Sequence, residues 1–427
     1  MTQSIRRVLA AACLATATAC SDRTRASDSR IVVRDSAGVE IVEHTAASIA
    51  ALPQWTIDTV PLVHIAGDAS GNAFTNIRAV EQRADGSFIV AEGRSREILE
   101  YSASGVFERR IARGGAGPGE IEYVNRLQLT REDSLIVFDV NQRRASVFAP
   151  GGTFVRQVTY PRTSDGSRFR ALGMLTDGRL LGRLEKSIGE LVATDGPVTR
   201  RRFAIVRMAI TSAGNDSASS GVVDTVAVVP DLETYPTAFP SEGKSYPDID
   251  FLIFGRRTNI GVADHALFVG TNVDSEIAQY NEKGVVRRIR TAVEPAPVTE
   301  AHREQVHAEI TAGFDRSRQP QAILDYLLTQ RRIADVFAFH ETLTAGTDST
   351  LWVEEPRRPD QGARKYVVHD ASGRAIARAQ FPARIVPHSL RKDRMLGVWL
   401  DSDDVPHVMV WKVVIAKPSR SESAGRI

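Results

Sequence analysis

Cysteine is almost missing from this chain: only Cys13 and Cys20 occur among 427 residues. The body therefore has no disulfide framework and no thiolate metal site, so its stability must come from burial. A surplus of one charge is missing too. Lys and Arg number 54 against 52 Asp and Glu, a formal +2, which offers no extended basic stripe and argues against nucleic acid as a partner. Past the first twenty residues there is no run of about 18 apolar residues, so no membrane-spanning helix is expected. Hydrolase signatures are lacking as well: there is no Gly-x-Ser-x-Gly elbow and no His-Glu-x-x-His. The loop Arg113-Gly114-Gly115-Ala116-Gly117-Pro118-Gly119-Glu120 lacks the Gly-Lys-Ser/Thr ending of a phosphate loop and joins two strands, so it is expected to be a tight crossing.

What is present is globular: 42% hydrophobic and 25% charged residues, enough for a large core. Arg6 and Arg7 precede an apolar run from Val8 to Ala19, long enough for an export signal and too short to span a bilayer. The following Ala17-Thr18-Ala19-Cys20 resembles the bacterial lipobox, which implies lipidation of Cys20, although Ala17 stands where Leu is usual. Cleavage after Ala19 without lipid is the alternative. By resemblance to lipoprotein sorting rules, Ser21 after the cysteine implies the outer membrane. The expected layout is a signal peptide over 1–19, a lipid-anchored tether and hairpin over 20–50, a folded body over 51–417 and a flexible tail over 418–427.

The body repeats. One unit runs Ile77 to Arg83, a turn at Asp85-Gly86, Ser87 to Glu92, Ile98 to Tyr101, a turn at Ser104-Gly105, and Val106 to Ile111. Each segment is short and β-branched or aromatic, with turn residues between. The next unit repeats this from Arg126 to Val158. First-hairpin turns then recur at Asp85, Asp133, Asp177, Asp264, Asp348 and Asp393, spaced 48, 44, 87, 84 and 45 residues apart. Three spacings match the period of propeller blades, about 40 to 50 residues. The first long gap reads as a blade with stretched loops around 212–221. The second holds a helical insertion over about 297–334, with Thr299 as N-cap. The fold expected is all-β: a six-bladed β-propeller of four-stranded antiparallel blades, with seven blades as rival. The last unit is one strand short, and Trp55 to Val60 could close it.

The Asp-Gly-x-hydrophobic-x-Val-x-acid pattern, the loop Arg113 to Glu120 and Asp35-Ser36-Ala37-Gly38-Val39 resemble the bacterial six-bladed propeller lipoproteins related to NHL-repeat proteins. That resemblance is sharp from about Asp35 to Val158, and it implies fold rather than reaction.

Reading back five to eight residues from each turn brings Arg78, Arg126, Arg170, Arg257, His340 and His388 to one channel mouth. Convergent guanidinium groups favour carboxylate or phosphate. An anionic small molecule, glycan or protein segment is therefore the expected partner of a monomeric protein, with the membrane reached through its lipid alone. The rival structural reading pairs these arginines with Glu92, Asp139, Asn141, Glu354 and Glu355 as ties between blades. An enzyme, a lyase or hydrolase, is the functional alternative and requires a histidine with an acid, such as His340 with Glu341 or Glu354. No cofactor is expected. Calcium is disfavoured because arginines stand where oxygen ligands would be needed, and zinc because only His340 and His388 are suitably placed.

Overall fold

A computed structural model describes residues 31–67, 70–160, 166–186, 195–209, 223–241, 243–263 and 266–416. The export signal, Cys20, the stretch 212–221, Asp264 and the tail from 418 lie outside the described residues.

The chain opens with β1 (Val32–Ser36) and β2 (Val39–Thr45), the short helix α1 (Ala46–Ala50), β3 (Gln54–Ile57) and β4 (Val63–Ile65). Antiparallel meanders follow. The first is β5 (Ile77–Gln82), β6 (Phe88–Glu92), β7 (Glu97–Tyr101) and β8 (Phe107–Ala112); the second is β9 (Val124–Leu129), β10 (Leu135–Asp139), β11 (Arg144–Phe148) and β12 (Phe154–Thr159). The third is β13 (Arg168–Met174), β14 (Leu180–Glu185), β15 (Thr199–Met208) and β16 (Val223–Ser241), extended by β17 (Lys244–Phe251). The fourth is β18 (Asn259–Ala263), β19 (Ala266–Gly270), β20 (Ile277–Asn281) and β21 (Gly284–Ala292). Two helices, α2 (Glu300–Gly313) and α3 (Gln321–Thr329), come next. The fifth meander is β22 (Thr342–Ala345), β23 (Leu351–Glu354), β24 (Ala363–His369) and β25 (Ala375–Pro382), and the chain ends with β26 (Ile385–Leu390), β27 (Arg394–Leu400) and β28 (Pro406–Ile415).

The result is all-β, with the described residues forming five sheets of six, four, five, nine and four strands. Every residue of β6, β10 and β11 is buried. Strands covered on both faces need no polar alternation, which is why they read as continuous apolar runs. Outer β8 carries exposed Glu108, Arg109 and Arg110. The recurring aspartates have a physical cause. Asp85 Oδ1 accepts from Ser87 N and Oγ at 2.9 and 2.7 Å, Asp177 Oδ1 from Arg179 N at 2.9 Å, and Asp348 Oδ1 from Thr350 Oγ1 at 2.6 Å. A side chain that closes its own turn sets the first hairpin in these three units, while in the second unit Thr130 Oγ1 accepts from Ser134 N instead.

Hydrophobic clusters lie between neighbouring meanders and form a closed circuit. Ala79 and Ile98 of the first meet Leu127 and Leu135 of the second. Phe138 and Val147 of the second meet Phe169 and Val206 of the third, and Leu181 and Ile205 of the third meet Leu267 and Val269 of the fourth. Phe268 and Ile277 meet Leu343 and Leu351, Trp352 and Phe381 meet Met395 and Trp411, and Val398 and Val408 return to Val80 and Phe88.

The structure differs from the sequence expectations at its seams. The last unit is completed by β4, paired to Val408 to Val410, while β3 pairs β28 antiparallel and β25 parallel, fusing two units into the nine-stranded sheet. Hairpin β1–β2 is not separate: β2 adds to β21 in parallel. The third unit is more than a blade with stretched loops, because β16 continues into a hairpin with β17. Thr299 caps α2 as expected, through a capping box with His302. Helix α3 packs on β16, where the Tyr326 and Phe239 rings meet edge to face at 5.3 Å.

Candidate functional site

Inner strands β5, β9, β18, β22 and β26 surround a cavity of about 720 Å³. Neither α2 nor α3 lines it. Arg78, Arg126 and His388 do, together with Glu81, Asn125 and Gln128.

Bulges aim three of these side chains. In β5 the pairing with β6 skips Arg78, in β9 the pairing with β10 skips Asn125, and in β26 the pairing with β27 skips His388. A bulged residue leaves the ladder and turns its side chain out of the regular alternation. Strand β13 also carries a bulge, but there the skipped residue is Leu172. Arg170 stays in register opposite Arg183, is exposed, and lies 3.9 Å from Glu185. It does not line the cavity.

On β9 the alternation does the positioning instead. Leu127 packs into the core shared with the first unit, while Gln128 holds Met174 of β13 through both amide atoms, at 2.7 and 2.9 Å. Arg126 shares that second face. Its Nε is buried without a hydrogen-bond partner, and no carboxylate lies within ion-pair distance of it among the described residues. Burial lowers the Arg126 pKa, and the nearby Glu81 opposes that. Glu81 responds in kind: burial pushes its carboxyl up to about 7, with Arg126 pulling it down. Both side chains lie deep among protein atoms while still meeting the cavity's solvent, so the water there moderates the burial. His388 is pushed down to about 4 by burial and is neutral at pH 7. Arg78 is engaged: its Nη1 donates to the Tyr123 hydroxyl at 2.9 Å, and its guanidinium lies 4.4 Å from that ring's centre.

Arg257 and His340 meet elsewhere, at a smaller cavity of about 130 Å³ shared with Arg357. Asn259 Nδ2 approaches His340 Nδ1 at 2.9 Å. An amide nitrogen can only donate, so Nδ1 accepts and the proton sits on Nε2. That Nε2 has no hydrogen-bond partner among the described residues. Burial lowers His340 to about 4. Among the described residues no acid pairs with it as the enzymatic alternative requires. Glu354 instead accepts from Thr342, Arg357 and Arg364 at 2.8, 2.9 and 3.1 Å.

Two of the acids proposed as ties between units, Glu92 and Asp139, do different work. Glu92 accepts from the Asn76 and Ser95 backbone N–H groups at 2.8 and 2.5 Å, and Asp139 from those of Glu122 and Gln142 at 2.6 and 3.0 Å. They close crossing loops. The glycine-rich loop is such a crossing, held by Arg144, which donates to the Gly117 and Glu120 carbonyls at 2.6 and 2.9 Å. Glu81 escaped the sequence reading because counting back to the strand starts passes over it. An acid three residues after Arg78 in an inner strand was the available signal.

No family model matches this chain, and no curated protein matches it. Similar solved structures include a member of the duf4221 family from Bacteroides vulgatus, 12% identical, with TM-score 0.47 over 84% of this chain and 99% of that one. A candidate exported protein from Bacteroides fragilis is 13% identical, with TM-score 0.43 over 88% and 100%. Virginiamycin B lyase from Staphylococcus aureus is 11% identical, with TM-score 0.38 over 81% and 97%. Identities and scores this low bring no activity, substrate or site residue to this chain. Among the described residues no helix is long and apolar enough to cross a membrane.

Proposed function

We propose that this chain is an exported six-bladed β-propeller, tethered to the outer membrane through Cys20, that binds a small anionic molecule in its central cavity. The closed circuit of clusters supports six blades, with the nine-stranded sheet counted as two blades fused by β3. The reading of the cavity rests on one observation: Arg126 lines it with no carboxylate in ion-pair contact, and its buried Nε has no hydrogen-bond partner among the described residues. A charge held in that way is normally paired, and a planar guanidinium fits carboxylate or phosphate. A cavity of about 720 Å³ suits a small molecule better than a protein segment. Glu81 limits the selection by neutralising Arg126 when the cavity is empty and taking up a proton when an anion replaces it.

The test is thermal denaturation and calorimetry of the mature protein with phosphate, malonate and citrate. Each binding anion should raise the melting temperature of wild type and leave that of Arg126→Ala unmoved. Indifference of wild type to all three, or an equal response of the variant, would refute the cavity assignment. The anchor is tested separately: Cys20→Ser should move the protein from the membrane fraction to the soluble envelope fraction.

A further inference from the structure

Far from the inner strands, two imidazoles face each other on the outer side of the last unit. His64 on β4 and His407 on β28 have Nε2 and Nδ1 3.0 Å apart. The sheet fixes this pairing. His64 stands opposite Met409, so His407, two residues earlier on the same strand, shares its face, and the Trp399 ring packs 5.3 Å from His407 on the other side. Asp401 completes the row, with Oδ2 3.2 Å from His407 Nε2. Its Oδ1 is itself fixed, accepting the Asp403 and Val405 backbone N–H groups at 2.9 Å each.

This row determines the proton positions. A carboxylate beside His407 Nε2 requires the proton there, so neutral His407 turns the lone pair of Nδ1 towards His64. Two imidazole nitrogens each about 2.0 to 2.1 Å from one ion are about 2.9 Å apart at a right angle and about 3.4 Å at the tetrahedral angle. The observed separation falls within that range. A carboxylate behind a ligating histidine is also how metal proteins orient imidazole ligands.

We propose that His64 Nε2 and His407 Nδ1 together bind a divalent transition-metal ion, with Asp401 as the positioning residue. The ion takes the place of the proton shared between the rings, which moves to the exposed Nδ1 of His64, so binding releases no net proton. Among the described residues no group of three metal-binding side chains gathers, and water completes the coordination. Two imidazoles with open positions suit Cu²⁺ best among the divalent ions, as the affinity order of the first-row metals also does.

Calorimetric titration of the mature protein with Cu²⁺ is the test, read beside the nitrogen couplings in its electron paramagnetic resonance spectrum. Wild type should take up one ion with two coupled nitrogens. His64→Ala and His407→Ala should each lose that uptake, and His307→Ala, on helix α2, should keep it. Asp401→Asn, which retains both backbone contacts at Oδ1, should weaken it by about 10- to 100-fold. His64→Gln repeats the test in a variant that keeps a polar exposed side chain on β4. Equal binding by wild type and the His64 or His407 variants, or a spectrum with no coupled nitrogen, would overturn the assignment.

Discussion

Arg83, just after β5, and Arg126, on β9, are both held among protein atoms, and they differ in the carboxylates that meet them. Arg83 donates to Glu100 at 2.9 Å and to Asp133 Oδ2 at 2.9 Å, with its side chain 2% exposed. Glu100 is in turn shared with Arg109. Among the described residues Arg126 has only the through-space field of Glu81. The first arrangement ties the first and second units together at the turn of Asp133. The second leaves a cavity-lining cation without a carboxylate in ion-pair contact among the described residues. Each arginine keeps one buried nitrogen without a hydrogen-bond partner among the described residues, Nη2 of Arg83 and Nε of Arg126, so neither burial nor an idle nitrogen separates a structural arginine from a binding one; a carboxylate in ion-pair contact does.

Removing the acid from the paired arginine should be the most damaging change. Glu100→Ala takes from buried Arg83 one of its two carboxylates, leaving Asp133 alone, and should cost up to about 3 to 5 kcal/mol, read as a fall in the chemical denaturation midpoint. Glu81 gives the next effect. A carboxyl raised from 4.5 to about 7 favours the folded state fully below pH 4.5, and that advantage is lost as pH rises to 7. The loss should be at most about 3 kcal/mol, reduced by water in the cavity. Glu81→Gln should flatten this part of the stability curve, and an unchanged slope would show that Glu81 titrates normally. His388 runs the other way. Lowered to about 4, it contributes stability above pH 6.5 that disappears as pH falls to 4, and His388→Gln should remove that share of the acid slope. Arg126→Ala should move the midpoint least, by under about 1 kcal/mol, since Glu81 can take up a proton once its cation is gone. A loss like that of Glu100→Ala would make Arg126 structural and erase the contrast.

The all-β class and the meander repeat were legible in the sequence because turn aspartates such as Asp85 and Asp348 close their own turns, which fixes a residue type at a position. The helical insertion was legible through Thr299. The seams were not, because β3 and β4 pair with β25 and β28 from more than 300 residues away, and short strands carry no mark of their partner. The cavity was half legible. Counting back from the turns found Arg78, Arg126 and His388 but also gathered Arg170, because the count cannot see which residue a bulge displaces. Arg257 and His340 lie at a different cavity for a similar reason: β18 and β22 pair without a bulge, and His340 precedes its strand.

Selenate soaked into crystals of the mature protein and located by its anomalous scattering would test the central claim most directly. The account predicts a peak in the central cavity within about 2.7 to 3.2 Å of a nitrogen of the Arg126 guanidinium. A cavity without that peak, with Arg126 joined to Glu81 in a closed ion pair, would contradict it.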